Sequence, residues 1–200
     1  MGTTLFFRGL SWLIFLNLLI KPAWIFLIDR SVQNIVGHEV YGTYFALYNL
    51  SYVLAFIADA GLTNMLTQRL AASENINIRQ LLWYKLALTL LYAVVCVAVA
   101  LATGVTQGTI LSFLILIQSL FSLFVFLRSL LAARQLFRQD ALFSVLDRSL
   151  LLLLCIGPVF GLFKPMTILL FLQLQTASIS IAVVTLFLFL AAKILQRQIG

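Results

Sequence analysis

Six long apolar runs follow one another along the chain, near residues 9–28, 41–64, 80–103, 109–131, 142–163 and 166–190. At about 20 residues per crossing, each is long enough to span a bilayer as a helix. The connections, near 29–40, 65–79, 104–108, 132–141 and 161–165, are short, which makes consecutive helices antiparallel neighbours. The pattern predicts an all-α polytopic membrane protein, a single six-transmembrane-helix bundle over residues 1–200 with no soluble domain. In the connections, TQRLAASENINIR is expected to hold a helical turn capped near Ser73 or Asn75. The basic stretch AARQLFRQDALF is expected to lie along the inner membrane surface as an amphipathic segment.

Composition strengthens this reading. The 200 residues are 63% hydrophobic and 10% charged, with a mean hydropathy of +1.11, beyond the range of ordinary water-soluble domains. The first run is not read as a cleaved signal peptide, because it carries Lys21 inside and ends in Asp29-Arg30 without a small-residue cleavage site. The net charge of +7 does not point to nucleic acid, since the basic residues alternate with the spans and gather on no soluble face. With a cytoplasmic N-terminus, Arg8, Arg69, Arg79, Lys85, Arg128, Arg134, Arg138, Arg148, Lys193 and Arg197 fall on the inner side, and only Arg30 and Lys164 on the outer. The positive-inside rule therefore places both termini in the cytoplasm. Cys96 and Cys155 fall within separate spans, where small apolar packing is their expected role.

Polar groups inside the runs carry the candidate chemistry, because an ionisable side chain at the centre of a membrane costs roughly 2.5–3.5 kcal/mol on insertion scales. Lys21 lies about 10 Å of helix rise below the outer end of the first run. It either snorkels outward or, since helical side chains lean toward the N-terminus, faces a hydrated interior; the second reading is preferred. Asn17, Lys21 and Trp24 recur at helical spacing as one polar stripe. Pro22 cannot donate to the carbonyl of Leu18, so the helix is expected to kink there, as a hinge or as a static packing feature.

In the second run Tyr41, Tyr44, Tyr48, Tyr52, Ala55 and Asp59 fall three or four residues apart, which puts four phenols and a carboxylate on one helical face. Tyr41 and Tyr44 also suit an interfacial aromatic belt. Tyr48 and Tyr52 lie too deep for that and suit a wet lumen that stacks on sugars and hydrogen-bonds to them. Asp59 has three readings: a structural partner for a basic residue, a proton or sodium site, or an interfacial group. Lys85, Thr89, Tyr92 and Cys96 align on the third run, Gln118, Ser122 and Ser129 on the fourth, and Gln173, Thr176 and Ser180 on the sixth, as expected for polar contacts between packed helices. In the fifth, Asp147 and Arg148 are expected to face different surroundings and not to pair, because adjacent positions diverge by about 100°. Arg128 and Arg148 then line a cationic inner vestibule or form an ordinary positive flank. Gly157-Pro158 marks a second flexible point.

The chain has four aspartates, at 29, 59, 140 and 147, on different segments, and one histidine, His38, expected in an exposed outer loop. It lacks a zinc-protease helix motif, a Cys-x-x-Cys pair, a phosphate loop and a nucleophile elbow, so no enzyme, metal site or cofactor is expected.

Two stretches carry a resemblance. VGHEVYGTYFALYNLSYVLAFIADAGLTNMLTQRLA, 36–71, resembles the second-helix region of polysaccharide and O-antigen flippases of the multidrug/oligosaccharidyl-lipid/polysaccharide exporter superfamily, through Gly37-His38-Glu39-Val40-Tyr41-Gly42, Asp59-Ala60-Gly61-Leu62 and Arg69. LRSLLAARQLFRQDALFSVLDR, 127–148, is similar to the segment joining their fourth and fifth helices. The resemblance implies an inner-membrane transporter of a polyprenyl-pyrophosphate-linked oligosaccharide for O-antigen, capsule or exopolysaccharide synthesis. It implies Lys21, Arg128 and Arg148 facing phosphate, Asn17, Trp24, Tyr48 and Tyr52 facing sugar, Pro22 and Pro158 as hinges, and Asp59 as a candidate ion-coupling group. Such transporters rock two six-helix lobes, and these 200 residues match the first. The second lobe is expected from a C-terminal continuation, a split partner or a second copy. A cation-coupled multidrug exporter lobe and a non-transporting scaffold for glycan-assembly enzymes are the alternatives.

Overall fold

The computed structural model describes residues 11, 14, 15, 17–20, 22–72, 77–161 and 165–199, with side chains through residue 193. A π-helical segment, Trp24–Asp29, runs directly into α1 (Arg30–Val36). Gly37 then takes φ +87° and ψ +154°, a backbone region open in practice only to glycine, and reverses the chain into α2 (His38–Leu54). The end of α2 tightens into a 3-10 turn, Ala55–Ala58, before α3 (Leu62–Ala71). Then follow α4 (Ile78–Ala102), α5 (Gly108–Ala133), α6 (Phe137–Val159) and α7 (Ile168–Ile199). Among the described residues there is no strand.

Among the described residues, five helices are long and apolar enough to cross a membrane: His38–Ala58, Ile78–Ala102, Gly108–Ala133, Phe137–Val159 and Ile168–Lys193. The protein is an all-helical, membrane-embedded chain. The run at 9–28 lies partly outside the described residues, and those it does contribute are helical.

Helix α5 is the hub, packing against α2, α3, α4, α6 and α7. Its buried side chains feed both large apolar clusters. Leu114 joins Trp24, Ile28, Tyr44, Leu151 and Phe171 in one. Phe124, Phe126 and Leu131 join Leu66, Ile179 and Leu186 in the other. Helix α4 is peripheral. One stripe of it, Leu81, Lys85, Tyr92, Cys96 and Ala100, is buried at helical spacing, while Leu86, Leu90, Val94, Val97 and Leu101 face outward. In hydrocarbon such a face needs no protein cover, because the helix satisfies its own backbone groups.

Several expected boundaries move. The run at 41–64 is not one helix: Ala60 at φ +43° and Gly61 at φ +81° break it, and Gly61 caps the start of α3 in the left-handed conformation. His38 is exposed as expected, but as the first residue of α2 and not in a loop. Ser73 and Asn75 lie outside the described residues; the cap of α4 is Asn77, whose side chain accepts from the Gln80 amide at 3.2 Å. The stretch AARQLFRQDALF does not form a separate surface segment. Its first residues end α5, Gln135 turns the chain at φ +58°, and Phe137 opens α6. Arg128 fastens the turn, donating from Nε to Asp140 at 2.9 Å.

Candidate functional site

A cavity of about 980 Å³ lies between the first helical stretch, α2, α5, α6 and α7. One wall is the tyrosine stripe of α2. All four tyrosines line the cavity, Tyr41 and Tyr44 buried, Tyr48 half-buried and Tyr52 57% exposed, so the stripe opens outward as α2 proceeds. Tyr41, Phe45, Tyr48 and Tyr52 run nearly parallel, Tyr41 to Phe45 at 6.3 Å and 15°, Phe45 to Tyr48 at 6.4 Å and 19°, Tyr48 to Tyr52 at 5.9 Å and 15°, while Tyr44 is tilted by 58° to Tyr41 and 36° to Tyr48. This order follows from residues three or four apart sharing one side of a helix. Phe171 of α7 anchors the packing, stacked on Trp24 at 5.8 Å and meeting Tyr44 edge-on at 5.8 Å.

The other walls supply polar groups. Asn17 donates to Ser144 Oγ of α6 at 2.9 Å, joining the first helical stretch to the bundle. Tyr41 Oη donates to Asp29 at 2.8 Å, tying the π segment to α2. Gln118 and Gln175 line the cavity from α5 and α7 and are otherwise buried. Ser178 hydrogen-bonds to the Asp147 carbonyl.

The two arginines expected to face phosphate both line the cavity, and each has a carboxylate of its own. Arg148 Nε stands 3.4 Å from Asp147 Oδ2, with its guanidinium 5.5 Å from the Trp24 ring centre. Arg128 pairs with Asp140 and lies 5.9 Å from the Phe124 ring centre. The Arg148 contact corrects the expectation that Asp147 and Arg148 could not pair. Their Cβ directions do diverge, but a four-torsion arginine side chain bends back across one helical position when both groups border the same polar space.

The face predicted to hold Tyr52 and Asp59 together does not extend to the aspartate. The 3-10 turn tightens the helix before Asp59, and the carboxylate reaches Lys85 Nζ on α4 at 2.6 Å. Thr63 donates to the same oxygen, and Lys85 also donates to Ser122 Oγ at 2.7 Å. Lys85, counted by position as an inner-flank charge, is fully buried. Of the three readings of Asp59, this geometry is that of a structural partner.

Lys21 lies outside the described residues. Pro22 is helical and exposed, and the π segment begins two residues beyond it. Pro158 stands one residue before the end of α6, three residues ahead of Gly161 at φ +73°, where the helix closes.

On α7 the expected stripe of Gln173, Thr176 and Ser180 is not the inward one. Gln173 is exposed, and Phe171, Gln175 and Ser178 point inward. In a helix apolar all round, periodicity does not reveal the inward face. Asp29, which the apolar pattern leaves at the start of a connection, ends the π segment; its spacing from Trp24, five residues on, matches no α-helical face and becomes a shared one only in that segment. Comparison with protein-family models, with curated proteins and with solved structures gave no match to the chain.

Proposed function

We propose that the chain is a lobe of a polysaccharide-type flippase, carrying a polyprenyl-linked oligosaccharide across the bacterial inner membrane by rocking against a second six-helix lobe. The observation that supports this most is the composition of the cavity. A space of about 980 Å³ stands at the upper end of the range of about 300–1,000 Å³ usual for ligand sites. Its aromatic rings offer stacking surface, and its amides, hydroxyls and charged pairs offer hydrogen bonds, within helices otherwise suited to lipid. Polar and charged groups lining a cavity within apolar helices are costly unless water or a polar solute meets them. The drug-exporter alternative draws less support, because Asp59, its ion site, is engaged by Lys85 and Thr63 and is not among the described residues lining the cavity.

The test is export in cells. Loss of the chain should strip surface glycan and leave lipid-linked glycan on the inner leaflet. Tyr48→Ala and Tyr52→Ala should lower export by about tenfold, the equivalent of 1.4 kcal/mol of binding, at unchanged protein level. Surface glycan lost with the chain but normal in both tyrosine variants would leave the scaffold reading standing, and a change only in drug susceptibility would favour the exporter.

A further inference from the structure

Resting on the transporter reading, we infer that Gln118 of α5 is the residue that reads the sugar: its amide takes a pair of adjacent hydroxyls on one ring of the substrate, and the Tyr52 ring covers that ring's apolar face. Gln118, Ser122 and Ser129 share a spacing that suits contacts between packed helices, and the structure separates them. Ser122 makes such contacts, accepting from Lys85 at 2.7 Å and reaching the Ala58 carbonyl at 3.4 Å. Ser129 donates to the Phe126 carbonyl of its own helix at 2.7 Å. Gln118 does neither. It is 5% exposed, borders the cavity and has no hydrogen-bond partner among the described residues. No fully buried side-chain nitrogen or oxygen among the described residues lacks a partner, so the Gln118 amide opens onto the cavity and not into the packed core.

The helix directions place Tyr52 nearby. Lys85 meets Asp59 and Tyr92 donates to the Ser51 carbonyl at 3.1 Å, so α4 runs against α2, and α5, which turns back after α4, runs with it. Ser122 stands level with Ala58. One turn earlier, about 6 Å of rise, Gln118 comes level with the start of the 3-10 turn at Ala55, within about one turn of Tyr52. A buried amide is unfavourable at this depth unless something polar meets it. It presents an acceptor and a donor side by side, so one hydroxyl donates to Oε1 while its neighbour accepts from Nε2. A sugar ring carries hydroxyls on adjacent carbons and apolar C–H faces, and Tyr52, 57% exposed, offers the stacking surface. Stacking accepts many sugars, whereas an amide that must be satisfied discriminates among them.

The experiment joins binding to thermal unfolding, with the full chain in lipid nanodiscs. The labelled ligand is the cell's own lipid-linked oligosaccharide, and the competitor is the oligosaccharide released from it by mild acid. Gln118→Leu, and Gln118→Met as a second apolar replacement of similar length, should weaken the intact ligand and the released sugar by the same factor, about tenfold for two lost hydrogen bonds. The unfolding temperature without ligand should be unchanged or raised, because the replaced amide has no protein partner to lose. Tyr52→Phe, which keeps the ring, should bind within about twofold of the unaltered chain, and Tyr52→Ala about tenfold more weakly. Unaltered affinity in the Gln118 variants, or a lowered unfolding temperature in both, would make Gln118 a packing residue and overturn the inference. A loss confined to the intact ligand would also overturn it, by assigning Gln118 to the lipid or phosphate portion. Either result leaves the flippase reading intact, whereas failure of the lipid-linked oligosaccharide to bind the unaltered chain would overturn both.

Discussion

Lys85 is the side chain whose surroundings are most exacting. It is fully buried, its ammonium is shared by Asp59 and Ser122, and Ser122 in turn contacts the Ala58 carbonyl at 3.4 Å. The cluster joins α4 and α5 to the point where α2 breaks. Removing one partner from a buried pair costs about 3–5 kcal/mol, because the other charge is stranded. Asp59→Leu should therefore destabilise by about that amount, since it strands a lysine with no route to solvent. Lys85→Met should cost less, because the Asp59 side chain is 32% exposed and can be hydrated. The double variant should recover most of the loss. Thermal unfolding in detergent of the four proteins checks this, and equal, additive losses from the two single changes would refute the clamp.

Between α2 and α3, backbone conformation matters more than space. A Cβ built on Gly61 meets no atom within 4 Å, yet its φ is +81°. The left-handed region costs an ordinary L-residue about 1–2 kcal/mol and asparagine less. Gly61→Val should then destabilise by at least 1 kcal/mol, roughly, and Gly61→Asn by a few tenths, both read by denaturation. Equal losses would mean that packing and not φ rules the site. The π segment after Pro22 shows a related effect. Proline removes one helical hydrogen bond, and the following turns widen to five-residue closure, with Arg30 N–H bonding to Ile25 C=O. That widening brings Trp24 and Asp29 to the same cavity.

For the molecule as a whole, orientation follows from charge. Gln135, in the basic turn between α5 and α6, is expected on the cytoplasmic side, and His38, at the start of α2, on the opposite one. The native Cys96 and Cys155 are buried and free. His38→Cys should therefore label with a membrane-impermeant maleimide in intact cells, and Gln135→Cys only after permeabilisation. The reverse pattern would invert the assigned topology. A cysteine at Tyr52, on the cavity wall, should be protected by the lipid-linked oligosaccharide if the cavity is its site.

Helical class, membrane residence, and the approximate places of the long helices were legible in the order of residues, because burying an apolar helix in lipid depends on a local sum over about 20 positions. The alignment of Tyr41, Tyr44, Tyr48 and Tyr52 on one wall was legible too, being a property of a single helix. The break at Ala60-Gly61 was not, since Ala-Gly-Leu stretches also continue through membrane helices. The partners of the charges were beyond reach as well. Which carboxylate meets Lys85, Arg128 or Arg148 depends on the packing of α4, α5 and α6 and on the reach of long side chains, and in helices apolar on every side the rotation of each is set only by its neighbours.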